Sequence, residues 1–274
     1  MAEAPTIALR DGRRIPQLGF GVYRIPPGEP TRAAVGAALA AGYRHVDTAA
    51  AYRNEADVGA AIRASDLPPG AVWVTTKLAN AEQGAGTARR AFERSLERLG
   101  VDAVDLYLLH WPHELRLESW RVVERLHEEG LARSIGVSNF LVRHLDELLA
   151  RASVPPAVNQ IEVSPFLYRT REDTLRRCAE EGIAVEAYSP LTKGRRLRDA
   201  TVASIAAEVG RTPAQVLIRW SLQKGFIVLP RSSNAGRIAE NAAVFDFSLG
   251  EAQIAALDSL DEALTTGWDP ATQA

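Results

Sequence analysis

The strongest constraint in this chain is an alternation. Eight short apolar or β-rich runs (LGFGVY, YRHVD, VWVTTK, VDLYLLH, RSIGVS, AVNQIE, AVEAYS and FIVLP) are separated by stretches with helical spacing. The helical stretches include TRAAVGAALAAG, GTARRAFERSLERLG, SWRVVERLHEEG, VRHLDELLA, REDTLRRCAEEG and TPAQVLIRWSLQKG. Several end in glycine, a common helix stop. Strands alternating with helices imply a parallel α/β sheet, and eight repeats are the number that closes a (β/α)8 TIM barrel. An open doubly wound sheet is the rival. Ahead of the first run, TIALRDGRRIPQ reads as an N-terminal β-hairpin turning at Asp11 and Gly12. No linker-like composition interrupts the pattern, so residues 1–274 are expected to form a single domain.

Composition removes several function classes. The 32 basic and 34 acidic side chains give a net charge of −2, with no long block of either sign. Nothing here favours a nucleic-acid or membrane-surface partner. No span approaches a transmembrane helix, and the N-terminus has no apolar core of signal-peptide length. A cytoplasmic monomer acting on a small molecule is the expectation. The lone Cys178 cannot form an internal disulfide and reads as a helix packing residue.

A barrel collects its chemistry at the carboxyl ends of its strands. Those ends read Asp47, Lys77, His110, Ser138 with Asn139, Gln160, Tyr188 with Ser189, and Arg231 with Ser232. Any one of them could simply mark where a strand leaves the core. A ring holding an acid, a lysine, a histidine and a tyrosine is harder to dismiss. A zinc site is not supported, since His110 and His113 are separated by a proline outside any helix and no cysteine joins them. No GxGxxG fingerprint is present, because GFGVYR and GAGTAR both end in arginine, which disfavours a Rossmann dehydrogenase.

Along nearly its whole length the chain resembles the aldo-keto reductases, of bacterial type. GYRHVDTAAAYRNEADVG, VTTKL, LYLLHWP, RSIGVSNF, AVNQIE, EAYSPL and LPRSSNAGRIAENAAVFDF are similar to that family's segments, in its order. The resemblance implies a catalytic tetrad of Asp47, Tyr52, Lys77 and His110, with NADPH as cofactor. It places Tyr188 against the nicotinamide face, and Ser138, Asn139 and Gln160 on the carboxamide. Ser189 and Leu191 would lie along the pyrophosphate. Arg231, Ser232 and Arg237 would hold the 2′-phosphate, with Glu240 and Asn241 on adenine. Tyr23, Ala79 and Trp111 would line the substrate pocket.

The chemistry expected is reduction of aldehydes, ketones or dicarbonyls. The cofactor supplies the hydride, and the protein supplies orientation, charge stabilisation and a proton. A phenol with an ordinary pKa of about 10 is protonated at neutral pH but a reluctant acid, and the Lys77 ammonium is expected to favour its ionisation. Asp47 would hold Lys77 charged and fix its direction, and His110 would align the carbonyl.

Three features depart from the family pattern. Arg231 stands where lysine is common, Ala79 where many relatives have tryptophan, and HWPHELRLESW and the tail TTGWDPATQA are short. The tail resembles that of 2,5-diketogluconate reductase-like members. Together these features suggest an open pocket and broad specificity. The alternatives are a non-catalytic NADPH-binding regulatory subunit and a Schiff-base enzyme using Lys77 as nucleophile.

Overall fold

The structure is a computed structural model that describes residues 5–271. Strands β1 (Thr6–Ala8) and β2 (Arg14–Pro16) form an antiparallel hairpin, with Ile7 opposite Ile15. Its turn is the expected one, and Gly12 takes a φ of 84°, a left-handed conformation that suits glycine.

Eight parallel strands follow: β3 (Phe20–Gly21), β4 (His45–Asp47), β5 (Trp73–Leu78), β6 (Val104–Leu109), β7 (Ala132–Ser138), β8 (Val158–Glu162), β9 (Ala184–Tyr188) and β10 (Ile227–Leu229). Each pairs with its sequence neighbour. The seam is closed as well: Gly19 N–H donates to the Val228 carbonyl at 2.9 Å, and Val228 N–H donates to the Gln17 carbonyl at 2.8 Å. The sheet is therefore the expected barrel rather than an open doubly wound sheet. The run LGFGVY yields only a two-residue strand, because the chain leaves the barrel at Tyr23 and Arg24, the latter at a φ of 60°.

The helices follow the same logic. Helix Ala88–Leu99 buries Ala88, Ala91, Phe92, Ser95 and Leu99, one stripe at three- and four-residue spacing. It stops at Gly100, in the left-handed region, whose N–H caps the carbonyls of Leu96 and Glu97. Helices Glu55–Arg63, Ala200–Val209, Ala235–Ala242 and Glu251–Asp258 add to those expected from the sequence.

Inside the barrel two layers differ in character. The lower one is apolar: Leu106, Leu108, Val158 and Ile227 pack with Leu9 and Ile15 of the hairpin, which plugs the amino-terminal end. Burying each such side chain contributes about 1.5–3 kcal/mol. The upper layer is polar, because the period-two alternation of the strands sends His45 with Asp47, Thr75 with Lys77, and Gln160 inward above the plug. Gly19 makes room for it: a Cβ there would stand 2.5 Å from Nδ1 of His45.

Candidate active site

Asp47 and Lys77 end adjacent strands and meet inside the barrel. Lys77 is fully buried, and its Nζ donates to Asp47 Oδ1 at 2.8 Å, Asp47 Oδ2 at 2.6 Å and the Thr48 carbonyl at 2.8 Å. A lysine so deep in a protein requires a partner of this kind. Its fourth contact is the hydroxyl of Tyr52, at 3.5 Å.

Tyr52 reaches that position from a single turn of 3-10 helix, Ala50–Tyr52, just beyond β4. The loop is anchored by Asn54, a buried residue that takes a hydrogen bond from Thr48 Oγ1 at 2.8 Å and donates to the carbonyls of Val22 and Ile25. Arg53, at a φ of 60°, completes the tight return into helix Glu55–Arg63. Of the small residues expected to pack here, Thr48 and Ala49 are buried, whereas Ala50 is half-buried and Ala51 is exposed.

His110 follows β6, and its ring meets that of Tyr52 edge to face with centroids 5.5 Å apart. Burial, followed by the charge of Lys77, lowers its pKa to about 3, so the imidazole is neutral and has one N–H to give. Burial raises the Tyr52 hydroxyl well above its ordinary value, with Asp47, Tyr23 and Glu186 adding to the shift. The expectation that Lys77 would pull it down is not met here. Both oxygens of Asp47 lie closer to the ammonium than the phenol does, so the pair presents little net charge to Tyr52.

The residues expected around the nicotinamide form one hydrogen-bonded set. Tyr188 Oη donates to Asn139 Oδ1 at 2.8 Å, and Asn139 Nδ2 donates to the His110 carbonyl at 3.0 Å and to Ser138 Oγ at 3.0 Å. Ser138 Oγ donates to the Gln160 carbonyl at 2.9 Å. Asn139 and Ser189, at the ends of β7 and β9, have φ values of 65° and 52°. Backbone held this way by non-glycine residues is commonest at functional sites. Leu191 is half-buried and leads into the turn Thr192–Gly194, where Lys193 Nζ donates to the Thr266 carbonyl.

At the far end, Ser232 Oγ accepts from Asn234 N–H at 3.1 Å, and Asn234 caps helix Ala235–Ala242 by accepting from Arg237 N–H at 3.0 Å. Ser232 is buried, whereas Arg231 and Arg237 are exposed. Arg231 donates to the Arg24 carbonyl at 2.7 Å. Partial covering of its guanidinium, followed by the nearby Arg24 charge, lowers its pKa, and two like charges together suit an anion. Glu240 accepts from Thr212 Oγ1 at 2.8 Å, and Asn241 Oδ1 is buried with no partner in the protein. A capped helix start with Arg237 in its first turn and Arg231 just before it suits a phosphate, and the orphaned Asn241 acceptor in the last turn of the same helix suits a donor on the adenine.

At the mouth, Tyr23 is one of the residues the resemblance puts in the substrate pocket, whereas nothing in the sequence singles out Trp268. Tyr23 and Trp268, 47% and 66% exposed, are the exposed large hydrophobic side chains among the described residues. Tyr23 leans on Tyr52 with centroids 5.0 Å apart, and Trp268 leans on Trp111 at 5.9 Å. The tail carrying Trp268 is pinned by Thr266 N–H to Glu162 at 2.9 Å and by Arg171 to Asp269 at 3.0 Å. Ala79 directly follows β5, after Lys77 and Leu78, and is half-buried. Among the described residues, no group of three histidine, cysteine, aspartate or glutamate side chains is placed to hold a metal.

Comparison with known proteins agrees with this geometry. An aldo-keto reductase of Mycobacterium sp. (strain JLS) is 51% identical over 98% of each chain. The glyoxal reductase of Bacillus subtilis (strain 168) is 41% identical, covering 97% of this chain and 96% of that one. The crystal structure of a Bombyx mori aldo-keto reductase in complex with NADP superposes with a TM-score of 0.89 at 35% identity, covering 97% of this chain and 95% of that one. Residues 17–262 match the Aldo/keto reductase family, and the chain belongs to it.

Proposed function

We propose that this protein reduces aldehydes, ketones or dicarbonyls to alcohols with NADPH, and that Tyr52 is the general acid. The observation that carries the reading is the 3.5 Å approach of the Lys77 ammonium to the Tyr52 hydroxyl at the barrel mouth, beside a neutral His110. NADPH, when bound, supplies the hydride. A carbonyl oxygen placed between Tyr52 and His110 would receive one hydrogen bond from each, which orients it and stabilises the negative charge that develops there. Tyr52 stays protonated until that charge forms and then passes its proton to the oxygen. The resulting phenolate lies against Lys77, and solvent restores the proton. Asp47 and the Thr48 carbonyl fix where the ammonium points.

For the cofactor, Tyr188, Ser138, Asn139 and Gln160 are proposed to hold the nicotinamide end, with Ser189 and Leu191 along the pyrophosphate. Arg231, Ser232 and Arg237 would hold the 2′-phosphate, and Glu240 and Asn241 the adenine. Tyr23, Ala79 and Trp111 would line the substrate side. The similarity to a glyoxal reductase supports including dicarbonyls. We further read the chain as one domain and as a cytoplasmic monomer. Among the described residues, no helix is long and apolar enough to cross a membrane. Schiff-base chemistry is disfavoured, since Lys77 donates three short hydrogen bonds and so has no lone pair to offer.

The test is NADPH consumption by the purified protein with a panel of aldehydes, ketones and dicarbonyls. Turnover of several supports the reading. Cofactor binding without turnover of any would instead support a regulatory subunit.

A further inference from the structure

Below the mouth, one buried carboxyl group has no part in the reduction described above. Glu186 lies in β9 two residues before Tyr188, so the strand's alternation sends it inward one layer beneath that tyrosine. It is fully buried. Its Oε2 accepts from Gln160 Nε2 at 2.5 Å, and the same nitrogen donates to Asp47 Oδ2 at 2.8 Å. Both amide hydrogens of Gln160 are therefore committed to carboxyl groups, which leaves its carbonyl oxygen free to accept from a ligand. The second oxygen of Glu186, Oε1, lies 3.5 Å from His45 Nε2 and has no hydrogen-bond donor.

The other groups around Glu186 are few. From β4 come Asp47 and His45, and from β5 Lys77, with Thr75 Oγ1 placed 3.0 Å from His45 Nε2. Tyr52 is connected to it through hydrogen bonds, from Gln160 to Asp47 and from Lys77 to Asp47 and the Tyr52 hydroxyl. The register partner on β10 is Ile227, which brings no charge. A carboxylate here would be an anion in a dry site with one neutral donor and another anion next to it, an arrangement that favours the protonated form. Burial and Asp47 raise its pKa to about 8, and burial lowers that of His45 to about 3. At neutral pH the layer then holds one ammonium and one carboxylate, balanced, with Glu186 and His45 both neutral.

We propose that Glu186 is a positioning residue for the reduction: carrying its proton, it shares the Gln160 amide with Asp47 and leaves the Lys77–Asp47 pair balanced, and its ionisation weakens Tyr52 as an acid at alkaline pH. The inference rests on the reading of Tyr52 as the proton donor. An anion at Glu186 would be one shared amide away from the Asp47 carboxylate and would add to the negative charge that opposes ionisation of Tyr52, so losing that proton raises the cost of forming the phenolate.

The test compares kcat for one aldehyde at saturating NADPH, from roughly pH 6 to pH 10, in wild type, Glu186→Gln and Tyr52→Phe. Wild-type kcat should fall with a midpoint near the pH at which Glu186 ionises, about 8. Glu186→Gln keeps the shape but cannot ionise, so its alkaline limb should move upward by about one pH unit or more. A structural role alone would not move that limb. Superimposable profiles, with Tyr52→Phe inactive, would overturn the inference and leave the reading of Tyr52 standing. A fully active Tyr52→Phe would overturn that reading instead. The wild-type protein gives a second measurement if Glu186→Gln does not fold. Difference infrared spectroscopy should show the carbonyl stretch of a protonated carboxyl group at neutral pH that disappears near pH 8. Absence of that band at neutral pH would contradict the proposal.

Discussion

The ammonium of Lys77 lies 3.5 Å from the hydroxyl of Tyr52 but only 2.6 Å from the nearer oxygen of Asp47. At rest the lysine therefore belongs to the aspartate and the tyrosine keeps its proton. Charge building on a substrate oxygen is what would draw the phenol and the ammonium together. The pair is thus a structural element as well as a chemical one, and the two roles can be separated by experiment.

Replacing Asp47 by Ala leaves the buried Lys77 ammonium with the Thr48 carbonyl as its remaining short contact. Breaking one side of a buried ion pair costs about 3–5 kcal/mol. Thermal or urea unfolding should show a loss of that size, and Lys77→Met should destabilise too but by less, because the stranded Asp47 carboxyl group keeps its hydrogen bond from Gln160 Nε2. Equal losses for the two variants would mean that Asp47 is as hard to leave alone as Lys77.

Trp268 stands at the mouth on a tail pinned through Thr266 and Asp269, so it forms a wall held in place rather than a loose flap. Trp268→Ala should raise KM for bulky aromatic ketones while leaving small aldehydes nearly unchanged. Kinetics with a size series of carbonyls checks this, and a uniform change across the series would remove Trp268 from the pocket.

Ala79 is the first residue after the lysine strand. Ala79→Trp should narrow the accepted substrates, slowing bulky ketones most and small aldehydes least. Parallel effects on both would show that this position does not face the substrate.

Arg237 opens onto solvent at the first turn of a capped helix, where a 2′-phosphate could meet both the guanidinium and the helix start. Arg237→Ala should weaken NADPH by about 10- to 100-fold at low salt and by less at high salt. NADH binding should barely move. Tryptophan fluorescence titration with both cofactors decides, and equal weakening of the two would assign Arg237 to the fold or the adenine.

The barrel was legible from the sequence because each strand carries its own local signature and the strand count is complete. The polar ring was legible because a parallel barrel brings every strand end to one face, so positions far apart, such as Asp47 and His110, need no further information to be placed together. Glu186 and Trp268 were not. An acid in the middle of AVEAYS reads as an ordinary strand residue until the register sets it beside Gln160 and Asp47. Trp268 reads as part of a short tail until Glu162 captures Thr266. The acidity of Tyr52 was not legible either, for a related reason. Its direction is set first by burial of the phenol, with Asp47, Tyr23 and Glu186 adding to it, and burial is a property of the folded site rather than of residue type.

The central claim, that Tyr52 donates the proton, is tested most directly by the turnover of Tyr52→Phe measured together with its NADPH affinity. The substitution keeps the ring that packs on Tyr23 and His110 and removes only the hydroxyl. The account predicts unchanged NADPH binding and a kcat lower by about 10²–10⁴-fold. Reduction of aldehydes at the wild-type rate would contradict it and assign the proton to another group.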